Sequence, residues 1–225
     1  MASLMRVKQQ YLNLRGLKME KKVVIVGAGG MGREVYNWLS IDRSGINITG
    51  FIDDNLSALD GFNYPVGVVS KISNYVPLES TVHVLAIMNP LTKRKVVTTL
   101  KSIGCEFISF VHPTAIIGIN VGVGEGNVIS PSCILTCDIT LGSYVFLNTQ
   151  TTLGHDVRVG DYTSINGKVE VSGCVEIGGD VIVGSHVVIL PQKKIASGAK
   201  IGAGSVVVGN INHPVSVFGN PAKMI

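Results

Sequence analysis

Residues 147–171 read LNTQTTLGHDVRVGDYTSINGKVEV and place an aliphatic side chain at every sixth position. The same spacing continues without an insertion from Ile117 to Val207. A period of six fits neither the 3.6-residue repeat of an α-helix nor the two-residue alternation of an ordinary strand, so it predicts a repeat architecture. The positions are Ile117, Val123, Ile129, Leu135, Leu141, Leu147, Leu153, Val159, Ile165, Val171, Ile177, Val183, Ile189, Ile195, Ile201 and Val207.

The neighbours of these aliphatic residues define the shape of the repeat. A second small or aliphatic side chain lies two positions earlier, as Val157 does before Val159, so both point to one side of a short strand. The next residue is often glycine, as at Gly154 and Gly160, and we expect it to allow turn angles that a Cβ would obstruct. Three such edges close a triangular coil in which successive turns stack at roughly 4.8 Å. A β-rich sandwich is the alternative.

A different pattern occupies the first half of the chain. The apolar run over residues 22–26 is typical of a parallel strand buried on both faces. It leads into Gly27-Ala-Gly-Gly-Met-Gly32 and a helix predicted over residues 33–41, and a second strand ends in Asp53 and Asp54. Such glycines let the backbone approach a phosphate at a helix N-terminus, and a carboxylate about 20 residues on can bind a ribose or base. The alternative is a glycine turn that only allows close packing of helix and sheet.

The length of this segment bears on its ligand. Only two further strands are predicted, over residues 82–88 and 106–110, which corresponds to one mononucleotide-binding half. A dinucleotide needs both halves, so NAD is disfavoured and a nucleoside diphosphate fits better. The helix between these strands carries Lys93, Arg94 and Lys95 in its first turn. These cations predict either a nearby anion or a solvated basic face.

Composition excludes several classes of protein. Of the net charge of +4, residues 1–22 carry +5, which leaves −1 for the remainder and gives no electrostatic case for nucleic acid. No apolar run reaches the length of a membrane span. Four irregularly spaced cysteines suggest reduced thiols and neither a disulfide framework nor a zinc site. We expect residues 1–20 to be a disordered basic leader and the protein to be cytoplasmic.

One corner of the predicted coil contains a histidine. His155 follows the Leu153-Gly154 turn, and stacking places Gly173 next to it in the following coil. Asp156 comes directly after, and a carboxylate beside an imidazole orients the ring and raises its basicity. His155 is therefore a candidate general base, although a lone surface histidine is usually inert.

Small residues at other stacked corners predict a groove on the outside of the coil. Such a groove would expose backbone N–H groups to a long, thin ligand, and a phosphopantetheine arm has that shape. The alternative is that parallel coils simply favour small residues at turns. The residues of one such corner are Thr149, Gly167, Ser185 and Ala203.

Six short motifs follow one another along the chain: Gly27-Ala-Gly-Gly-Met-Gly32, Phe51-Ile-Asp-Asp54, Ala86-Ile-Met-Asn89, Leu147-Asn-Thr149, His155-Asp156 and Gly219-Asn-Pro-Ala-Lys223. Taken in order, they resemble those of the hexapeptide-repeat nucleotide-sugar acetyltransferases, which include UDP-4-amino-sugar N-acetyltransferases and proteins described as sialic acid O-acetyltransferases. The resemblance covers residues 21–225. It implies an α/β, Rossmann-like half domain over residues 21–110, followed by an all-β left-handed parallel β-helix over residues 111–225.

The resemblance also implies roles for individual residues. It implies that His155 is the general base and that Asp156 is the acid that supports it. It also implies that acetyl-CoA is the co-substrate, that no metal is needed, and that the protein is a homotrimer whose active sites lie at subunit interfaces. The implied nucleotide-sugar residues are Gly29, Gly30, Met31, Asp53, Asp54 and Met88, and the implied acetyl-CoA residues are Ser164, Gly173, Ser185 and Ala203.

Three positions depart from the family pattern. Ser164 stands where some relatives have a second histidine, and Met88 replaces a common glycine. Lys193 occupies an inward position that is normally small, which predicts a bulge in the turn over residues 191–194.

The resemblance predicts acetyl transfer to the amino group of a nucleotide-linked, UDP-type amino-deoxy sugar. O-acetylation of sialic acid or another sugar hydroxyl is the alternative within the same class. A covalent route through Cys137, one coil below His155, is a further mechanism. A non-catalytic β-helical scaffold or nucleotide sensor is the alternative outside the enzymes.

Overall fold

The computed structural model describes residues 22–41 and 46–225. A five-stranded parallel sheet with two α-helices is followed by a parallel β-helix. The expectation for residues 1–20 lies outside the described residues. Within the described part of the chain, no helix is long and apolar enough to cross a membrane.

The elements of the N-terminal domain are β1 (Lys22–Val26), α1 (Gly30–Ile41), β2 (Asn47–Ile52), β3 (Val68–Ser70), a 3₁₀ helix (Ile72–Asn74), β4 (Thr81–Leu85), α2 (Pro90–Ser102) and β5 (Glu106–Phe107). Their sheet has the strand order β3-β2-β1-β4-β5 and is parallel throughout. Its central strand β1 is buried beyond its first residue, as its continuous apolar sequence predicts. The order reverses between β1 and β4, the place where ligands bind in open α/β sheets.

The observed elements differ from the prediction in several places. Strand β4 ends at Leu85 and strand β5 at Phe107, each three residues earlier than predicted. Helix α1 begins at Gly30, three residues earlier than predicted, so three residues of the glycine motif lie before it and three within it. The three-residue strand β3 is too short to give an alternating pattern and was not predicted. Helix α2 begins at Pro90, and the side chain of Asn89 caps it by accepting a hydrogen bond from the Thr92 N–H at 3.0 Å.

The hexad forms the predicted triangular coil, a left-handed parallel β-helix of three sheets. Strands pair in register with those 18 residues away, so Ile134 pairs with Thr152 and Thr152 with Glu170. The first sheet contains β7 (Ile116–Ile117), β10 (Ile134–Leu135), β13 (Thr152–Leu153), β16 (Glu170–Val171), β19 (Val188–Ile189) and β22 (Val206–Val207). The second contains β8 (Gly122–Val123), β11 (Thr140–Leu141), β14 (Arg158–Val159), β17 (Glu176–Ile177) and β20 (Lys194–Ile195). The third contains β6 (Phe110–Val111), β9 (Val128–Ile129), β12 (Phe146–Leu147), β15 (Ser164–Ile165), β18 (Ile182–Val183), β21 (Lys200–Ile201), β23 (Ser216–Phe218) and the antiparallel β24 (Lys223–Met224).

The turns of the coil correct one prediction. The glycine after each aliphatic residue does not have a positive φ; the left-handed residue lies two positions later and is seldom glycine, as at Asp156 with φ of 61°. The glycine is required because the next coil lies against it. A Cβ on Gly154 would lie 2.7 Å from the backbone nitrogen of Gly173, and one on Gly160 would lie 2.5 Å from that of Gly179.

The predicted bulge at Lys193 is also wrong. The carbonyl of Lys193 accepts a hydrogen bond from the Glu176 N–H at 2.9 Å, and the Gln192 N–H donates to the Gly173 carbonyl at 3.0 Å. Both contacts are those of the regular coil. Lys193 is only partly buried, so its long side chain does not have to fill the interior.

The N-terminal domain covers the third sheet of the coil. Outward-facing Val128 and Phe146 of that sheet are buried in one apolar cluster with Val23 and Phe51 of the N-terminal domain. The two parts of the chain therefore share a core along this face, which orients one against the other.

Helix α2 adds polar contacts to the same junction. Nζ of Lys93 donates to the Thr163 carbonyl at 3.3 Å, while the guanidinium of Arg94 pairs with Asp180 at 2.6 Å and stacks on Tyr162 at 4.1 Å. Lys95 is exposed. The anion expected near these cations is thus the Asp180 carboxylate, which pairs with Arg94, while Lys93 binds a backbone carbonyl of the coil.

Candidate active site

His155 lies at the corner between the first and second sheets, in the turn that joins β13 to β14. Its Nδ1 is 2.8 Å from Oδ2 of Asp156, and the two side chains are 61% and 59% exposed. The predicted pair is therefore formed. If Nδ1 carries the proton that this contact requires, Nε2 has a free lone pair and can accept a proton from a substrate.

The space for the imidazole comes from the next coil. A Cβ on Gly173 would lie 2.5 Å from Nε2 and 2.6 Å from Cε1 of His155. No real Cβ makes such close contacts, so the ring occupies its position because residue 173 has no side chain. Gly173 is thus the predicted acetyl-CoA residue that the fold places beside the histidine.

Two cysteines flank this corner. Sγ of Cys174 lies 4.0 Å from Nδ1 of His155, a proximity that the hexad alignment contains but to which the sequence assigns no role. Cys137 is one coil away on the other side, and a hydrogen bond with Asp138 raises the pKa of its thiol. Because the thiolate is the nucleophilic form, this contact disfavours a covalent route through Cys137.

The other predicted acetyl-CoA residues lie elsewhere on the coil. Ser185 and Ala203 occupy successive coils at the corner between the third and first sheets. Ser164 faces the N-terminal domain, is only 1% exposed, and donates a hydrogen bond of 2.6 Å to the Met88 carbonyl. Within one chain, these three residues are not gathered with His155, and their contact with acetyl-CoA stays a prediction.

A groove of about 540 Å³ runs along the second sheet. Its floor contains Thr140, Arg158, Glu176 and Lys194, whose side chains point outward from successive coils. Its volume is typical of a small-molecule site. None of the four predicted acetyl-CoA residues lines the groove. The groove could have been predicted from the 18-residue spacing of Thr140, Arg158, Glu176 and Lys194 in the sequence.

The glycine motif of the N-terminal domain divides into packing and open positions. A Cβ on Gly32 would collide with the carbonyl oxygen of Gly27, so Gly32 lets helix α1 approach strand β1. By contrast, a Cβ on Gly29 would meet nothing within 4 Å, and one on Gly30 would meet only the Arg33 side chain at 4.0 Å. The two predicted ligand glycines are therefore open, while the last glycine of the motif has the packing role.

Asp53 supports this loop, whereas Asp54 contacts the 3₁₀ helix. Oδ2 of Asp53 accepts a hydrogen bond of 2.7 Å from the Ala28 N–H inside the glycine motif, and Oδ1 accepts one of 2.9 Å from the Asn55 N–H. Asp54 accepts a hydrogen bond of 3.1 Å from the Ile72 N–H. Asp53 thus holds the loop directly, a contact that the spacing of about 20 residues did not reveal.

The two methionines predicted at the nucleotide-sugar site lie on the same domain. Met31 and Met88 are partly buried and pack against the apolar cluster that contains Val23 and Phe51. Gly29, Gly30, Met31 and Asp53 belong to the end of the sheet at which the strand order reverses. The structure thus brings the predicted nucleotide-sugar residues together on the N-terminal domain.

Residues 22–100 match the family described as the PglD N-terminal domain. A UDP-N-acetylbacillosamine N-acetyltransferase from Bacillus subtilis (strain 168) is 28% identical over 113 residues, which is 48% of this chain and 51% of that protein. The match thus spans about half the length of this curated relative.

Solved structures are similar over nearly the whole chain. The acetyltransferase domain of PglB from Neisseria gonorrhoeae FA1090 has a TM-score of 0.83 and 26% identity, covering 92% of this chain and 100% of that one. The same domain has been solved in complex with acetyl coenzyme A, with a TM-score of 0.82, 25% identity, and coverage of 91% and 99%. WeeI from Acinetobacter baumannii AYE has a TM-score of 0.82 and 27% identity, covering 91% and 100%.

Proposed function

We propose that this chain, which belongs to the hexapeptide-repeat nucleotide-sugar acetyltransferases, transfers an acetyl group from acetyl-CoA to the amino group of a nucleotide-linked amino-deoxy sugar. A UDP-linked acceptor is supported by the name of the Bacillus subtilis relative. Acetyl-CoA as co-substrate is supported by the complex of the PglB domain.

The observation that carries the proposal is the exposed His155–Asp156 pair above Gly173. An amine is a competent nucleophile only when it is uncharged and can lose a proton as it attacks. Nε2 of His155 is the atom that accepts this proton, while Asp156 holds Nδ1 at 2.8 Å and stabilises the imidazolium that forms. Nitrogen attacks the thioester carbonyl, the carbon–sulfur bond breaks, and CoA leaves as the thiol.

The acceptor is held by the N-terminal domain. Gly29 and Gly30 offer open backbone beside the start of helix α1, which favours a diphosphate. Asp53 keeps this loop in place through the Ala28 N–H. The nucleotide binds here with its sugar directed away from the domain, in agreement with the predicted contacts of Met31, Asp54 and Met88.

The geometry of the prism favours an active site shared between subunits. In one chain the N-terminal domain covers the third sheet, and His155 lies at the corner between the first and second sheets, on the opposite side of the triangle. A sugar bound to the domain therefore reaches a histidine most readily on a neighbouring chain. We propose a homotrimer, acting in the cytoplasm, with three such shared sites.

The first sheet offers a surface for this contact. Its outward positions are apolar at both ends, with Ile116 62% and Ile134 37% exposed and with Val188 and Val206 partly exposed. The sheet ends at the corner that contains His155. Packing between these faces would bury the aliphatic side chains and place His155 at the seam.

The proposal is tested with a panel of acceptors. Purified protein is incubated with acetyl-CoA and UDP-, dTDP- or GDP-linked 4-amino-4,6-dideoxy sugars, and thiol release is followed with a chromogenic disulfide. We expect turnover with at least one acceptor, and mass and NMR spectra of the product should show an amide. An acetyl ester would instead identify an O-acetyltransferase. If no acceptor leads to thiol release, the result would favour a non-catalytic nucleotide-binding protein.

A further inference from the structure

Three side chains able to bind a transition metal meet at the corner that contains His155. Nδ1 of His155 lies 2.8 Å from Oδ2 of Asp156, and Sγ of Cys174 lies 4.0 Å from that nitrogen and 3.9 Å from that oxygen. Across residues 22–41 and 46–225, these residues form the only group of three His, Cys, Asp or Glu side chains with ligand atoms this close together.

The spacing of the three atoms is close to that of a tetrahedral zinc site. Zinc bonds of about 2.3 Å to sulfur and about 2.0–2.2 Å to nitrogen and oxygen, at tetrahedral angles, separate the nitrogen and oxygen by about 3.4 Å and the sulfur from either by about 3.6 Å. The observed distances differ from these by roughly half an ångström. All three side chains are exposed, so small rotations can close the difference.

The backbone beneath these side chains is fixed by the coil. The Asp156 N–H donates to the Cys137 carbonyl at 3.2 Å, and the Cys174 N–H donates to the His155 carbonyl at 2.8 Å. Asp156 and Cys174 stack at equivalent turn positions with φ of 61° and 59°. The ligand atoms therefore come from two coils whose separation does not change, which makes the site pre-organised.

We propose that His155, Asp156 and Cys174 bind one Zn²⁺ ion or a similar thiophilic divalent cation. A set of one sulfur, one imidazole nitrogen and one carboxylate oxygen favours zinc, cobalt or cadmium over magnesium or calcium. Three protein ligands leave the fourth position to water. The metal replaces the thiol proton, which passes to the buffer, while the imidazole stays neutral because its proton moves from Nδ1 to Nε2; no group is oxidised or reduced.

Bound metal is an inhibitor of the reaction and not a cofactor. This consequence rests on the proposed function, because it assigns catalysis to His155. A metal on Nδ1 breaks the hydrogen bond to Asp156 that orients the imidazole and supports its positive charge. Because Nε2 then carries the imidazole proton, it cannot accept another, and acetyl transfer stops until a chelator removes the ion.

Cobalt absorption tests the metal site without any substrate. The metal-free protein is titrated with Co²⁺, and we expect a thiolate-to-cobalt charge-transfer band that saturates at one ion per chain and disappears on addition of Zn²⁺. Cys174→Ser should lose the band and bind Zn²⁺ at least about tenfold more weakly. Cys137→Ser is the matched control, because this thiol is at the same corner but outside the group of three. It should keep the band.

A second measurement needs no variant. Zn²⁺ should slow the alkylation of Cys174 by iodoacetamide in the unaltered protein, as read by peptide mass spectrometry, and leave Cys137 unaffected. Absence of a cobalt band, its survival in Cys174→Ser, or equal protection of both thiols would overturn the proposal. These readouts do not involve acetyl transfer, so they separate failure of the metal site from failure of the proposed function.

Discussion

Nζ of Lys93 lies 2.8 Å from the backbone carbonyl oxygen of Tyr144, fifty-one residues away in the chain. The first residue belongs to helix α2 of the N-terminal domain and the second to a corner of the β-helix. Lys93 is only 1% exposed, and burial lowers the pKa of its amine to about 7, with Asp180 opposing the shift. A titratable group thus lies inside the junction that holds the two domains together.

This position makes the junction sensitive to pH. The unfolded chain binds a proton at Lys93 up to its ordinary pKa near 10.5, whereas the folded chain releases it near 7. The contribution of Lys93 to stability therefore rises with pH between these two values and is constant below about 7, where both states bind the proton. Because one pKa unit corresponds to about 1.4 kcal/mol, the stability of the native protein relative to Lys93→Met should increase by more than about 1 kcal/mol from pH 7 to pH 9. Urea unfolding of both proteins at the two pH values measures this change in the free energy of unfolding.

Lys95→Met is the control for this measurement, because Lys95 is two residues away on the same helix and exposed. It should show no comparable change with pH. A difference between native protein and Lys93→Met that is the same at both pH values would contradict the assignment.

Loss of the imidazole should abolish most of the activity. His155→Ala should lower kcat by roughly 10²–10⁴-fold, which is typical for loss of a general base. The thermal unfolding midpoint should stay near that of the native protein, because the side chain is exposed. His186→Ala, at an exposed corner elsewhere on the coil, is the control and should retain turnover. Near-normal kcat in His155→Ala would refute the role.

Gly173→Ala tests the space beneath the histidine. The added methyl group would lie 2.5 Å from Nε2, so the imidazole must swing away, and a displacement of about 1 Å can cost roughly 10²-fold in rate. Stability should change little, since the ring can move into solvent. Gly122→Ala, whose new methyl group would meet only the Ile139 carbonyl at 3.9 Å, should behave like the native protein in both assays. Full activity of Gly173→Ala would show that the ring position is not critical.

The two kinds of glycine in the N-terminal motif should respond differently to alanine. Gly29→Ala fits without a clash in the protein itself. Because the nucleotide sugar approaches the backbone at this position, we expect its KM to rise about tenfold, which corresponds to a loss of about 1.4 kcal/mol in binding free energy. Gly32→Ala places a methyl group on the Gly27 carbonyl and should cost about 1–3 kcal/mol in stability.

Gly67→Ala is the reference for both glycine variants, because its new methyl group would meet nothing within 4 Å in the same domain. Steady-state kinetics and urea unfolding separate the two effects. An unchanged KM in Gly29→Ala would favour a glycine turn with a packing role alone.

The proposed subunit contact is tested at Ile134 on the outward face of the first sheet. Ile134→Arg should convert a trimer into monomers, because a guanidinium cannot be buried between apolar faces without a partner. Light scattering after gel filtration measures the mass, and acetyl transfer should fall with it. Val76→Arg replaces a 74% exposed valine of the N-terminal domain and should leave the mass unchanged. A native protein that is itself monomeric would contradict the proposal directly.

The hexad alone predicted much of this architecture. An aliphatic residue at every sixth position can be buried in only a few ways, and the parallel pairing of Ile134 with Thr152 follows from the closure of three edges into one turn. The same stacking predicted that Gly173 lies beside His155, since residues 18 apart meet in any such coil. The reason for a glycine after each aliphatic residue was harder to infer. The glycine at position 154 is required by the backbone of the next coil and not by its own dihedral angles.

What the sequence determined by itself, then, is the stacking of residues 18 apart in the coil and motifs formed by residues close in the chain, including the His155–Asp156 pair and the glycine motif after β1. The tertiary structure alone decided how the N-terminal domain lies on the coil, with Ser164 against Met88 and Lys93 against Tyr144. These contacts join residues more than fifty positions apart that share no periodic pattern. They depend on the shapes and charges of two surfaces that exist only after each part has folded.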